Sequence, residues 1–301
     1  MKKSLTTLRV LIAGGSGMLG RQLQHYFSLQ GVEVKVLSRN AKDSLYRWDP
    51  SKKEIQTDAL EEADIIINLA GANMAGGLWT RKYKKQLYDS RIGSTRLLVD
   101  TIKSCKPKNR HFIQASAVGY YPMSDAWMNE ESLAGKGFLA DLAADWEHEG
   151  EKVEDEYTLY SVIRLGVILK PGEGFLGKTV PPARLGLSSA FGNGKQWMSW
   201  VHIDDACNAI QWILENELSG PYNIVADEPI RNKALTAAIA KAVRRPYFLP
   251  NVPAFALRIA LGDFSSELLA DHRVSNKKLQ TNGFHFRFKQ IDAALNDLLN
   301  E

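Results

Sequence analysis

The sequence predicts an α/β fold, a doubly wound parallel sheet followed by a smaller, mostly helical C-terminal lobe. Short apolar and β-branched runs at 8–13, 33–37, 64–69, 111–115 and 159–165 predict strands, and helical stretches separate most of them. Parallel strands need such crossovers, and a sheet covered on both faces has strands that are apolar along their length. After residue 169 the chain becomes rich in Gly and Pro, which indicates a departure from the sheet.

A glycine-rich turn directly follows the first predicted strand. Residues 13–20 read Ala-Gly-Gly-Ser-Gly-Met-Leu-Gly, which fits G-x-G-x-x-G from Gly15 and G-x-x-G-x-x-G from Gly14. Both spacings allow a sharp turn and let backbone N–H groups approach a pyrophosphate. The helix predicted over 18–30 adds its positive N-terminal end. The turn therefore predicts a Rossmann-type nucleotide site.

The second predicted strand ends in Ser38-Arg39, where an NAD site would place an acidic residue for the ribose. A guanidinium suits a 2′-phosphate, so Arg39 favours NADP over NAD. The alternative is that Arg39 is a solvated loop cation.

The C-terminal part contains fewer strand signals. Residues 197–203 and 222–225 are strand-like, Asp204-Asp205 can cap a helix over 206–215, and mainly helices follow from 232, ending in an amphipathic helix over 291–299. Residues 1–169 are interpreted as the nucleotide-binding domain, with its sheet completed by about 197–226, and residues 170–301 as the substrate lobe and C-terminal extension. Trp197, Met198 and Trp200 suggest an apolar pocket mouth, although aromatic residues there are more often core.

Charge and cysteine content exclude several classes of protein. The net charge of +4 over 301 residues is too small to imply a nucleic-acid partner. Two distant cysteines indicate neither a disulfide framework nor a zinc site, and no metal is expected. No apolar segment approaches the length that crosses a bilayer, so we expect no membrane partner and a cytoplasmic protein, either a monomer or a homodimer.

The order of the motifs resembles the extended short-chain dehydrogenase/reductase superfamily, specifically its atypical epimerase family, often described as nucleoside-diphosphate-sugar epimerases. The motifs that carry the resemblance are the glycine turn, Ser38-Arg39, 68–71 (Asn-Leu-Ala-Gly), 116–121 (Ser-Ala-Val-Gly-Tyr-Tyr), 164–167 (Arg-Leu-Gly-Val), 192–196 and 200–205 (Trp-Val-His-Ile-Asp-Asp). The tail from Pro250 through Gly283-Phe284 is similar to the C-terminal extension of this family.

The resemblance implies a set of residues that contact the cofactor NADP. They are Gly14, Ser16, Gly17, Met18 and Leu19 at the pyrophosphate, Ser38 and Arg39 at the 2′-phosphate, Leu69 and Ala70 beside the adenine, Arg91 as a further contact, and Val167 by the nicotinamide. The alternatives are that Arg91 pairs with Asp89 or another surface acid, and that Leu69 and Ala70 only end a buried strand.

The acid–base residues usual in this superfamily are missing. Its dehydrogenases use a Tyr-x-x-x-Lys pair, in which the lysine lowers the tyrosine pKa. The corresponding register here carries Phe138 and Leu142, which transfer no proton, and Ser90 stands where an asparagine is expected.

Ser116 matches the active-site serine of the superfamily, and Tyr120 and Tyr121 follow it. Either phenol could act as acid or base. We favour Tyr120 for this role, with Ser116 as the donor that orients the substrate oxygen; the alternative is an aromatic cluster that only packs. His202 is interpreted as structural.

These observations lead to two functional hypotheses. The first is an NADP-dependent oxidoreductase or epimerase that acts on a small polar metabolite, including a nucleotide sugar. The second is an NADP(H)-binding regulatory or scaffold protein with little or no catalysis, linked to cell division through the names of some relatives. A sugar-binding module without cofactor is disfavoured by Ser38-Arg39.

Overall fold

Strands and helices alternate through most of this computed structural model, which describes residues 5–39 and 45–300. The strands are β1 (Arg9–Ala13), β2 (Glu33–Ser38), β3 (Leu45–Asp49), β4 (Glu54–Ile55), β5 (Ile65–Asn68), β6 (Arg110–Ala117), β7 (Ser124–Met128), β8 (Thr158–Leu165), β9 (Val167–Lys170), β10 (Trp197–Met198), β11 (Trp200–His202), β12 (Gly220–Ile224), β13 (Ile230–Arg231) and β14 (His272–Val274). The helices are α1 (Met18–Ser28), α2 (Asp58–Glu62), α3 (Arg81–Ser104), α4 (Phe138–Glu151), α5 (Gly174–Arg184), α6 (Ile203–Glu215), α7 (Asn232–Ala242), α8 (Ala254–Leu261), α9 (Ser265–Leu268), α10 (Lys277–Thr281) and α11 (Ile291–Leu299).

An eight-stranded sheet forms the centre of the fold, in the order β12-β8-β6-β5-β1-β2-β3-β4. Neighbouring strands are parallel except at the β3–β4 edge, where they are antiparallel. The five strands predicted for the first part of the chain correspond to β1, β2, β5, β6 and β8. The prediction missed β3 and β4, which extend the sheet by two strands at one edge.

Helices cover both faces of this sheet. Leu23 and Phe27 of α1 belong to the larger apolar cluster together with Ile210 of α6. Leu98 and Ile102 of α3 belong to a second cluster, which contains Leu60 of α2. The sheet is therefore doubly wound, and the predicted fold class is confirmed.

The chain after β9 contains mostly helices, as predicted, but one helix there was not predicted and the predicted start of another is wrong. The Gly- and Pro-rich region contains the helix α5, with Pro181 and Pro182 inside it. Helix α6 begins at Ile203, and its N-cap is His202, whose Nδ1 accepts a hydrogen bond from the Asp204 backbone N–H at 3.1 Å.

Asp205, which was expected to cap the helix, instead binds the C-terminal segment to α6. Its carboxylate accepts hydrogen bonds from the backbone N–H groups of Arg287 at 3.0 Å and Phe288 at 2.9 Å. The predicted final helix coincides with α11, which packs against α7. The division into domains at residue 169 stays a prediction.

Candidate cofactor site and active site

The glycine turn packs tightly against the end of β5. Gly14 has a φ of +83°, and a Cβ there would lie 2.6 Å from the Leu69 carbonyl oxygen. A Cβ on Gly20 would lie 2.5 Å from the Gly14 carbonyl oxygen. A side chain at Gly14 would clash with the backbone after β5, and a side chain at Gly20 would force the turn and α1 apart. Gly14 is thus the first glycine that the turn conformation requires, which favours the spacing Gly14, Gly17, Gly20.

The first turn of α1 presents backbone N–H groups at this edge of the sheet. Its N-cap, Gly17, has no side chain that could accept from them, and Ser16 beside it is exposed. Met18 is half-buried and Leu19 is buried. The open N–H groups and the positive end of the helix form the kind of site that binds phosphates.

The end of β2 lies one strand away from the glycine turn. Leu37 pairs with Ala13, which places Ser38 and Arg39 level with Gly14 and Gly15. The Arg39 side chain is exposed, and no carboxylate within the described residues forms an ion pair with it. Residues 40–44, next along the chain, lie outside the described residues.

Leu69 and Ala70 directly follow β5, on the other side of the glycine turn from β2. The Leu69 N–H donates to the Ala13 carbonyl at 2.8 Å, and the Ala70 N–H donates to Asn68 Oδ1 at 3.2 Å. Leu69 is half-buried and Ala70 is buried, so packing accounts for much of their environment.

Arg91 is a cation that lacks a carboxylate partner in residues 5–39 and 45–300. Its guanidinium lies 5.1 Å from the Trp146 ring, and its Nη1 donates to the carbonyls of Ala72 and Leu87, both at 3.2 Å. Burial lowers the pKa of Arg91 to about 10. Asp89, the partner considered from sequence, pairs with Lys85 instead. An unbalanced cation near the end of β5 suits a phosphate group.

Val167 is the first residue of β9, which directly follows β8. Its N–H donates to the Ser199 carbonyl at 2.8 Å, and it pairs with Trp200. Its side chain is half-buried. The contact of Val167 with the nicotinamide stays a prediction.

Sequence reasoning missed a bridge across the glycine turn. Arg21 of α1 donates to the Ser16 carbonyl and to the Glu173 carboxylate, and Glu173 also pairs with Lys170 at 3.0 Å. The loop before α5 therefore lies over the start of α1. Nothing in the local sequence pattern indicates this contact, because its partners are about 150 residues apart.

Ser116, at the end of β6, belongs to a buried polar network. Its hydroxyl donates to Glu147 Oε1 at 2.5 Å. Arg164 of β8 grips the same carboxylate with two hydrogen bonds, Nε to Oε1 at 2.9 Å and Nη2 to Oε2 at 2.7 Å. The Ser116 proton thus already has an acceptor, so a substrate oxygen would have to compete with Glu147 for it or donate to the serine.

Glu147 itself was not singled out from the sequence, although a signal exists. It lies four residues after Ala143 and three before Gly150, on the face of α4 that is buried. An acidic residue on the apolar face of a helix indicates a buried partner.

The two tyrosines after Ser116 differ in environment. Tyr121 is buried, its hydroxyl accepts from Arg164 Nη1 at 2.9 Å and donates to Asn223 at 2.8 Å, and burial raises its pKa to about 12. Tyr120 is half-buried, and its ring lies 3.6 Å from the Arg164 guanidinium. Arg164 therefore lies against the Tyr120 ring and is linked to Ser116 through the Glu147 carboxylate, and Tyr120 is the more accessible phenol.

The residues in the Tyr-x-x-x-Lys register serve packing. Phe138 stacks edge-on against Trp79 with ring centroids 5.4 Å apart, and Leu142 is buried beside Leu87. Ser90 accepts from the Ala72 N–H at 2.9 Å.

His202 is held by three contacts. Besides capping α6, it places Nε2 3.2 Å from Asp297 of α11 and stacks on Phe288 at 3.9 Å. Burial lowers its pKa. His202, Asp204 and Asp297 could surround a cation, but Nδ1 of His202 already accepts a hydrogen bond from the Asp204 backbone N–H. These contacts support the structural interpretation.

A cavity of about 970 Å³ opens beside the C-terminal lobe. Its charged lining comes from Lys195, Arg231, Lys233, Asp125 and Asp271. Of the three residues predicted at a pocket mouth, Trp200 is fully buried core. Trp197 lies at the cavity, since its Nε1 donates to Asp125 at 2.5 Å and Arg231 stacks on its ring at 3.8 Å. Met198 accepts from Asn232.

Relatives with similar sequences extend over nearly the whole chain. Epimerase family protein YfhF of Bacillus subtilis is 35% identical over 302 residues, covering 97% of this chain and 98% of its own length. Epimerase family protein ML0860 of Mycobacterium leprae is 36% identical over 293 residues, covering 95% of this chain and 94% of its own.

Solved structures of similar proteins also match nearly the whole chain. A human epimerase family protein, SDR39U1, crystallised with NADPH, superposes with a TM-score of 0.89 at 28% identity, covering 98% of this chain and 100% of its own. A nucleoside-diphosphate sugar epimerase from Corynebacterium glutamicum superposes with a TM-score of 0.77 at 30% identity, covering 97% of this chain and 58% of its own.

Two family models match different parts of the chain. Residues 10–225 match the NAD dependent epimerase/dehydratase family, and residues 252–298 match a C-terminal domain of unknown function, DUF1731. No described helix is long and apolar enough to cross a bilayer. This chain belongs to the NAD-dependent epimerase/dehydratase family of extended short-chain dehydrogenases/reductases and carries the DUF1731 extension.

Proposed function

We propose that this protein is an NADP-dependent oxidoreductase or epimerase that acts on a small polar, anionic metabolite, with nucleotide sugars as the first class to test. The observation that carries this proposal is the phosphate cradle. The tight turn of Gly14 and Gly20 opens the N-terminus of α1, and Arg91 contributes a cation without a carboxylate partner in the described part of the chain.

Two observations support NADP rather than NAD. Arg39 lies level with the glycine turn, is exposed, and is free of ion pairs within the described residues. The human relative was crystallised with NADPH. The several similar structures crystallised with NAD are 15–17% identical to this chain, which supports a shared fold alone.

The residues at the end of β6 are positioned for proton transfer. When bound, the nicotinamide would supply or accept a hydride. Tyr120 would exchange a proton with the substrate oxygen, and Ser116, whose own proton is directed to Glu147, would accept a hydrogen bond from a substrate hydroxyl.

The cavity supports an anionic substrate. Lys195 and Lys233 have exposed side chains without ion pairs among residues 5–39 and 45–300, and both line the cavity with Arg231. The Corynebacterium relative is named as a nucleoside-diphosphate sugar epimerase, which makes a nucleotide sugar the first substrate class to test.

The packing of Phe138 and Leu142 favours a second candidate. If no other residue replaces the missing acid–base pair, the protein would bind NADP(H) as a regulator or scaffold. These two candidate functions can be distinguished by a screen for conversion of nucleotide sugars and carbonyl compounds in the presence of NADP+ or NADPH. Conversion of any compound supports the enzyme, and binding of NADPH without any conversion favours the scaffold.

Replacing Arg39 with alanine is expected to weaken NADPH binding by about 10- to 100-fold, because one or two charge-assisted hydrogen bonds to the 2′-phosphate are lost. The affinity for NADH should stay unchanged. Calorimetric titration with both dinucleotides measures this. Arg47→Ala is the matched control, since Arg47 is an exposed arginine paired with Glu54. Equal affinity of the unmodified protein for NADPH and NADH would contradict the assignment of Arg39.

A further inference from the structure

Two stretches that contain no acidic residue lie side by side in the C-terminal lobe. Residues 174–203 and 229–262 contain nine Lys and Arg residues and no Asp or Glu. Val252 joins them, because its N–H donates to the Ala190 carbonyl and its carbonyl accepts from the Gly192 N–H, both at 2.8 Å. Because these nine cations exceed the net charge of +4 of the chain, the remainder is net negative.

Five large apolar side chains of these stretches are each more than half exposed: Leu185, Leu187, Phe248, Phe255 and Ile259. The segments run parallel, because Ser189 contacts the Pro250 carbonyl just before Ala190 contacts Val252. Leu187 and Phe248 are therefore neighbours across the pair. Phe255 and Ile259 lie one turn apart on α8 and share a face.

Four exposed arginines accompany these apolar side chains: Arg184, Arg244, Arg245 and Arg258. None forms an ion pair with a carboxylate in residues 5–39 and 45–300. Arg245 Nε donates to the Arg184 carbonyl at 2.7 Å, which keeps two of the four together. We name the five apolar and four arginine side chains the arginine–apolar surface.

No residue of this surface lines the proposed substrate cavity. Tyr247 and Ala254 line the cavity, whereas their neighbours Phe248 and Phe255 do not. Apolar side chains that project outward among unpaired arginines match the chemistry of an anionic lipid interface, where the apolar groups enter the boundary region and the cations meet the headgroups.

The charge distribution favours a lipid surface over a second copy of this chain. A twofold contact through this surface would bring the four arginines of each copy into one interface, and the surface itself contains no acid to pair with them. Four exposed acids, Glu151, Glu154, Asp155 and Glu156, lie just before β8, at the amino ends of the parallel strands.

We propose that the arginine–apolar surface binds anionic lipid membranes peripherally. This proposal goes beyond the proposed enzyme activity. It also revises the expectation of no membrane partner, which was based on the absence of a segment long enough to span a bilayer. Peripheral binding requires no such segment.

Co-sedimentation of the full chain with vesicles tests this proposal. The protein should bind vesicles of phosphatidylcholine mixed with phosphatidylglycerol, bind phosphatidylcholine alone much more weakly, and dissociate as salt is raised. Arg244→Gln/Arg245→Gln should lower the partition coefficient by roughly thirtyfold, and Phe255→Ser/Ile259→Ser by about tenfold or more.

Two variants elsewhere on the surface serve as controls. Leu133→Ser removes a highly exposed apolar side chain and Arg81→Gln removes an exposed arginine, and both should bind the mixed vesicles as the unmodified protein does. The thermal shift produced by NADPH should be the same for all variants, which checks their folding. Equal binding to both vesicle types, an equal loss in the controls, or no binding to the mixed vesicles would overturn the proposal; the last result would favour an acidic protein segment as the occupant.

Discussion

Replacing Glu147 with alanine is expected to lower the free energy of unfolding by about 3–5 kcal/mol, because the variant leaves a buried guanidinium without its counter-charge. The Arg164 side chain is only 4% exposed. Burial by itself lowers the pKa of Arg164, but the hydrogen bonds and charges of Glu147 and Tyr121 together raise it above its usual value. Ser116 would lose its acceptor as well. Denaturant unfolding at neutral pH measures the change.

Glu149 provides a matched control on the same helix. It pairs with Arg96 and Lys152, whose side chains are 57% and 44% exposed. Because water can solvate both cations once the carboxylate is gone, Glu149→Ala should cost about 1 kcal/mol or less. A similar loss in the two variants would mean that burial of Arg164 does not determine the cost. Glu147→Gln, which keeps the shape of the side chain, should fall between them.

The sheet was predictable from sequence wherever strands are buried on both faces. Strands β1 and β5 are nearly continuous apolar runs, and α11 follows the helical period closely enough for its bounds to coincide with the prediction. The edge strands β3 and β4 escaped detection, because Tyr46, Arg47 and Asp49 give β3 a mixed composition.

Contacts between distant residues could not be predicted. Asp205 stands where a helix cap is expected, yet its carboxylate binds backbone more than 80 residues away. The helix α5 was not predicted, because it contains Pro181 and Pro182, and each proline removes a backbone N–H donor from the helical hydrogen bonding.

The candidate site likewise combines local features, which the sequence shows, with contacts between distant residues, which it does not show. The glycine turn is a local feature, so its sequence pattern was sufficient to place it between β1 and α1, whereas the role of Arg39 stays a prediction. The pairing of Glu147 with Arg164 joins a helix to a strand across a loop and depends on the packing of α4 against the sheet. The sequence showed that the usual Tyr and Lys are absent but could not show which polar groups lie beside Ser116.

Replacing Tyr120 with phenylalanine is expected to lower the turnover rate by about 10²- to 10⁴-fold, the usual contribution of a general acid or base. Phenylalanine keeps the ring against Arg164, so stability and NADPH affinity should change little. Tyr121→Phe is the matched control. Its hydroxyl bonds to Arg164 and Asn223 inside the protein, so this variant should lose about 1–2 kcal/mol of stability while keeping most of the rate.

The pair of variants also distinguishes the two candidate functions. Steady-state rates on a substrate found by the screen, with NADPH affinity measured in parallel, separate lost chemistry from lost binding. A large rate loss confined to Tyr120→Phe would identify this phenol as the replacement for the missing Tyr-x-x-x-Lys pair. A rate unchanged in Tyr120→Phe would exclude the phenol as acid or base, and the proton would then have to pass through Ser116, whose hydroxyl already donates to Glu147.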